Sequence, residues 1–140
     1  TNVEIEVPIF TVSVAGLPAL SQKDNPAQFH RGEFAASLES VKEYLRPYEH
    51  IHFYQGLFPS TAEPVKHTAF SLVHIDVDLY TSTLDCLTFF YPRMTRGGCI
   101  IDHDYQVADG ARQAIDEFFE DKPEIVMEPY ATGQAVIVKV

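Results

Sequence analysis

Phe70-Ser-Leu-Val-His-Ile-Asp-Val-Asp-Leu-Tyr80 is a nearly continuous apolar run that stops on two carboxylates one residue apart, Asp76 and Asp78. A run this short, rich in branched residues, predicts a strand buried on both faces, as in a parallel sheet under helices. Acids at the end of such a strand sit where open α/β sheets place their ligand crevice. Working outward, Gly97-Gly-Cys-Ile-Ile-Asp-His-Asp-Tyr105 repeats the pattern and climbs into Asp102, His103 and Asp104. Two neighbouring strands ending this way would bring carboxylates and an imidazole within reach of one divalent cation.

The 140 residues suffice for one domain with a real core, and 46% hydrophobic content is that of a folded protein. A net charge of -10 argues against a sequence-independent grip on nucleic acid or on an anionic membrane. The same charge favours cations, although solubility alone also accounts for it. Cys86 and Cys99 lie in apolar surroundings, and two thiols are too few for a disulfide framework. No run reaches membrane-spanning length and no signal peptide is visible, so a reduced, cytoplasmic protein is expected. The chain begins at Thr1 rather than Met, as a piece of a longer protein would.

Val3, Ile5 and Val7 alternate with Glu4 and Glu6 as in a half-buried strand, which Pro8 interrupts. Ile9 to Val14 is a second strand candidate, closed by Ala15-Gly-Leu-Pro18. Ala19 to Arg31 is a long polar loop with a turn at Asp24-Asn-Pro26. A helix is predicted from about Ala36 to Arg46, with Leu38, Val41 and Leu45 on one face and Pro47 as its stop. A strand follows from His50 to Phe58, then helices over Thr83 to Tyr91 and from Asp109 to Lys122. Ile125 to Glu128 and Gln134 to Val140 read as a hairpin around Tyr130-Ala-Thr-Gly133. The order predicts an α/β protein with a three-layer, Rossmann-like, mostly parallel sheet and a C-terminal antiparallel hairpin.

Several segments match a family in order. Ala15-Gly-Leu-Pro18, Gly32-Glu-Phe-Ala-Ala-Ser-Leu-Glu-Ser-Val41 and Gln55-Gly-Leu-Phe58 are followed by Asp76-Val-Asp-Leu-Tyr-Thr-Ser-Thr-Leu-Asp85. Tyr91-Pro-Arg, Gly97-Gly98, Asp104-Tyr105 and Ala114-Ile-Asp-Glu-Phe118 continue in register. The chain thereby resembles the macrocin O-methyltransferase family, S-adenosylmethionine-dependent enzymes that methylate sugar hydroxyls in antibiotic biosynthesis. The resemblance implies a class I methyltransferase fold, S-adenosylmethionine as cofactor and a small-molecule hydroxyl as substrate. It places Gly56 and Phe58 on the cofactor side, and Asp76, His103 and Asp104 at the metal. A divalent metal, magnesium first, is implied; the family shows Asp-Asp where this chain has His103-Asp104, and imidazole favours Zn²⁺, Mn²⁺ or Fe²⁺. His30 is the candidate general base, with an ordinary surface histidine as the plainer reading.

The resemblance also implies a Gly-rich turn after the family's first strand and an acid after its second. No G-x-G-x-G turn occurs in these residues, and Val12 stands at the acid's position. That first strand belongs at the middle of the sheet, so its loss would leave a gap between two halves. A longer protein, Val3 to Val7, or another copy could fill it, and a homo-oligomer is the expected assembly. The alternative function is therefore a non-catalytic, oligomeric remnant of the fold. A third is a different metal-dependent enzyme, since Asp-x-Asp after a strand also holds cations in glycosyltransferases and phosphatases.

For individual residues, Asp76 is assigned to the metal and Asp78 to the cap of the following helix or to a supporting hydrogen bond. His74 is expected as a core or interface histidine. Tyr80 and Tyr105 are placed either along the pocket or in apolar packing, and Phe89, Phe90, Phe118 and Phe119 in the core.

Overall fold

The computed structural model describes residues 7–11 and 16–140. The alternating segment before Val7, Val12 at the acid's position, and Ala15 lie outside the described residues. Contacts gather the chain into two compact units, one containing Arg31–Lys66 and the turn before Ala19, the other Ala19–His30 and His67–Val140.

In the first unit, strand β1 (Val7–Thr11) pairs in parallel with β2 (Ile51–Gln55), from Val7 opposite Ile51 to Thr11 opposite Gln55. Pro8 pointed to an edge or a separate short strand, and β1 runs through it. Among the described residues β1 pairs only with β2, an edge position where a proline is tolerated. Helix α1 (Leu38–Leu45) starts at Ser37, whose hydroxyl accepts the Ser40 amide at 3.1 Å, and none of its residues is fully buried. Gly16 and Gly32 come from two of the segments that resemble the family, and here they meet. Leu17 donates to Glu33 O at 2.8 Å and Gly32 donates to Leu17 O at 2.9 Å. Gly16 has a φ of +68°, and a β-carbon there would lie 2.3 Å from Glu33 O.

In the second unit, β3 (Phe70–Ile75) is parallel to β4 (Met94–Asp102), and β5 (Ala135–Val138) closes antiparallel on β4. Helix α2 (Tyr80–Phe90) follows β3, and α3 (Asp109–Phe119) follows β4. Val73, Ile75, Ile100, Ala135 and Ile137 are buried on one side of this sheet, with Leu79, Leu87, Ala111, Ala114 and Ile115 buried in the helical layer. Each large side chain in that layer contributes about 1.5–3 kcal/mol of burial.

The opposite side corrects an expectation. β3 is not buried on both faces: Leu72 is 60% exposed and His74 is exposed as well, so His74 is not a core residue. The helices cover one face of this unit's sheet, and an apolar run in the sequence does not show how many faces are covered. β4 begins at Met94, earlier than Gly97, with its register to β3 shifting between Phe70 and Leu72. The hairpin is present in reduced form. Met127 and Val136 exchange both backbone hydrogen bonds, but β5 spends its ladder on β4 and the 125–128 arm is a single bridge. Phe90 and Phe119 are buried as expected, while Phe89 and Phe118 are half-buried.

The described strands therefore lie in two separate sheets, β1-β2 and β3-β4-β5.

Candidate metal centre

The parallel pairing of β3 and β4 aligns their C-terminal ends, with Ile75 opposite Asp102. One step further, His103 donates its backbone N–H to Ile75 O at 2.8 Å, so the next residues of both chains emerge together. Ligand atoms of Asp76, His103 and Asp104 all lie within 4.8 Å of one another. His103 Nδ1 is 2.9 Å from Asp104 Oδ1 and 3.6 Å from Asp76 Oδ1. The sequence expected these three together, and the structure brings them together.

They are not equivalent. The Asp76 and His103 side chains are 56% and 51% exposed, whereas Asp104 is 3% exposed. Asp104 Oδ2 accepts from the backbone N–H of Val77 at 3.1 Å and of Asp78 at 2.9 Å. Asp78 sits there in the left-handed region, at φ 59°, a conformation that Asp tolerates better than most residues. Asp104 is thus a rigid donor that also shapes the turn carrying Asp76.

Behind it, Asp102 is fully buried; its Oδ1 accepts the Asp104 backbone N–H at 3.0 Å. Its Oδ2 has no protein partner. Burial, and then the neighbouring Asp104 charge, push the Asp102 pKa up to about 7. The hydrogen bond to Asp104, and then the charge of Asp76, raise the pKa of His103. Two carboxylates, Asp76 and Asp104, converge here on one imidazole, an arrangement that a divalent cation would relieve. The donor set fits such a cation, with one ligand held rigid and two on exposed side chains open to water.

Other expected residues fall elsewhere. His30 is exposed at the end of the 19–30 loop and outside the three-residue cluster. Gly56 and Phe58 follow β2 in the first unit, where Gly56 has a φ of +135°. Asp78 does not cap α2, because the N-cap is Leu79, with no side-chain bond of its own. The carboxylate that serves that helix end is Asp24 Oδ1, which accepts the Tyr80 N–H at 2.7 Å. Sequence reasoning read Asp24 only as part of a turn, since its partner lies 56 residues away. Tyr105 is packed at 4% exposure with its hydroxyl donating to Asp116 at 2.7 Å, and Tyr80 donates to Glu117 at 2.6 Å. Cys86 is buried, and that burial, followed by the Asp85 charge, pushes its thiol up to about 12.

The arrangement of strands, helices and acid-tipped strand ends defines an α/β protein of the class I methyltransferase type. The O-methyltransferase NovP superposes with a TM-score of 0.80 at 23% identity, over 96% of this chain and 60% of that one. The calicheamicin methyltransferase CalS11 gives 0.73 at 18% identity, over 95% and 60%. In sequence, the profile of the macrocin-O-methyltransferase (TylF) family matches residues 8–130, and the chain belongs to that family. It is 31% identical over 116 residues to the demethyldecarbamoylnovobiocin O-methyltransferase of Streptomyces niveus, covering 76% of this chain and 44% of the relative. It is 27% identical over 118 residues to the mycinamicin III 3''-O-methyltransferase of Micromonospora griseorubida, covering 76% and 46%. The chain thus spans about half the length of these curated relatives. No helix among the described residues is long and apolar enough to cross a membrane.

Proposed function

We propose that this chain is the metal-bearing part of an S-adenosylmethionine-dependent O-methyltransferase acting on a hydroxyl of a sugar or small natural product. The observation that carries this reading is the convergence of Asp76, His103 and Asp104 at the paired ends of β3 and β4, in a chain of the macrocin-O-methyltransferase family. A cation held there would polarise the acceptor hydroxyl, and S-adenosylmethionine would supply the methyl group. Asp104 fixes the turn after β3 so that Asp76 faces His103, which limits how far the site must reorganise. His30, the candidate base, would accept the hydroxyl proton; Gly56 and Phe58 would lie on the cofactor side.

The test is calorimetric titration with S-adenosylhomocysteine, with and without Mg²⁺ or Mn²⁺. Cation binding that disappears in Asp76→Asn supports the metal site, and cofactor-product binding supports the transferase. A second reading, a non-catalytic oligomeric remnant, rests on the two separate sheets formed by the described strands. It predicts no response to either ligand, together with a mass in solution that is a multiple of the chain's.

A further inference from the structure

The loop Ala19–His30 is fastened within the second unit by side chains at its middle and near its C-terminal end. At the middle Asp24 is buried, with Oδ1 accepting the Tyr80 N–H at 2.7 Å. Its Oδ2 accepts both the backbone N–H and the hydroxyl of Ser21, each at 2.7 Å. Gly110 of α3 presses on this carboxylate so closely that a β-carbon there would lie 2.1 Å from Oδ1. Next to it, Lys23 Nζ donates to the Tyr80 hydroxyl at 2.9 Å and to Glu117 at 2.8 Å. Near its C-terminal end Phe29 is buried, and the Gln28 amide donates to Val107 O.

Two of these fastenings, Asp24 on the Tyr80 amide and Gln28 on Val107 O, land beside the two turns that carry the candidate ligands. Tyr80 opens α2 four residues after Asp76. Val107 lies three residues after Asp104, in a turn where Val107 and Ala108 donate to Asp104 O at 3.0 and 2.8 Å. Leu79 offers α2 no side-chain cap, so the first amide of this helix depends on Asp24.

We propose that the loop is a strap that sets the spacing of the two ligand-bearing turns, and that Asp24 is its positioning residue. The inference rests on the reading of Asp76, His103 and Asp104 as a metal site. With Asp24 in place, the β3–α2 turn is held from two sides, by Asp104 on the Val77 and Asp78 amides and by Asp24 on the Tyr80 amide. Without it, one grip remains and Asp76 gains freedom relative to His103. Residues that orient ligands in this way typically alter metal affinity by about 10–100-fold.

The test is Mn²⁺ affinity, measured by electron paramagnetic resonance, in the unsubstituted chain and in Asp24→Ala, Gln28→Ala and Gly110→Ala. Asp24→Ala is expected to weaken binding about tenfold. Gly110→Ala should do likewise although every acid is retained, because its methyl displaces the Asp24 carboxylate. The double variant should be no worse than either single one, since both break the same contact. Hydrogen exchange at the Tyr80 amide should accelerate in Asp24→Ala, independently of any metal. If Asp24→Ala does not fold, Gln28→Ala carries the test, with the same direction of change. Unchanged Mn²⁺ affinity in folded variants of a chain that binds the ion overturns the strap. No Mn²⁺ binding by the unsubstituted chain overturns the metal reading itself, and the positioning role with it.

Discussion

Asp104 Oδ2 lies 2.9 Å from the backbone nitrogen of Asp78, so the second residue past the end of β4 grips the turn that follows β3. This places a buried carboxylate in two roles, as a brace and as a candidate ligand. The exposed Asp76 beside it has only the second. Asp104→Asn puts an amide NH₂ against either His103 or the Val77 and Asp78 N–H groups, and is expected to cost about 1–3 kcal/mol. Asp76→Asn should leave stability within about 0.5 kcal/mol. Both should abolish or strongly weaken Mn²⁺ binding. Urea denaturation paired with Mn²⁺ titration checks this. A stability loss from Asp76→Asn as large as that from Asp104→Asn would contradict the division of roles.

In the proposed site, His103 is the residue expected to set the metal preference. His103→Asp restores two adjacent carboxylates and should raise Mg²⁺ affinity relative to Zn²⁺, because oxygen donors suit the harder ion. Competition calorimetry reads this directly, and an unchanged preference would remove His103 from the coordination sphere.

The same histidine sets a pH dependence. Its pKa is raised above 6.5, by Asp104 first and then Asp76. Its contribution to stability is therefore fully present below the unfolded-state value and fades as pH rises through the folded value. Metal binding runs the other way, since imidazole must be neutral to ligate. Cation affinity should climb as pH rises beyond 6.5 and level off above the raised pKa. Titrations at a series of pH values measure the slope, and His103→Ala should flatten it.

In the first unit, Gly16 tests the meeting of the two family-like segments. Gly16→Ala meets both a positive φ and the Glu33 carbonyl, and is expected to cost about 1–3 kcal/mol. Gly97→Ala is the control: it shares the positive φ but meets nothing within 4 Å, so it should cost less. Thermal melts of the two variants side by side decide the matter, and equal losses would mean that backbone strain alone is at work.

What the sequence revealed follows from the range of the interactions involved. The two acid-tipped strands were legible because apolar runs ending in carboxylates are local patterns, and parallel pairing of their ends then brings Asp76 and His103 together. Helix α2 was expected to start near Thr83. It starts at Tyr80, where Asp24 satisfies its first amide from a distant loop. Asp102 was visible only as an extra acid. Strand alternation sends it to the buried side, opposite its exposed neighbour His103, and nothing in its spacing marks an oxygen left without a partner. The open face of β3 was hidden for a similar reason: Leu72 and His74 do not tell how many layers cover them.

The C-terminal strand carries the last prediction. Glu124 is buried, and burial alone would raise its pKa. Hydrogen bonds from Lys139 at 2.8 Å and from the Tyr91 hydroxyl at 2.9 Å overcome that and hold it down at about 2. A carboxylate depressed on folding stabilises the native state above its unfolded pKa, near 4.3, and loses that contribution as pH falls toward its folded value. The chain should therefore lose melting temperature between about pH 4.3 and pH 2, part of it through this group. Glu124→Gln removes the titrating group and leaves Lys139 facing an amide. It should lower the melting temperature at pH 7, flatten the acid limb and converge with the unsubstituted chain near pH 2. Parallel acid limbs for the two proteins would show that the loss comes from other carboxylates and that the Glu124–Lys139 pair contributes little to holding β5 in place.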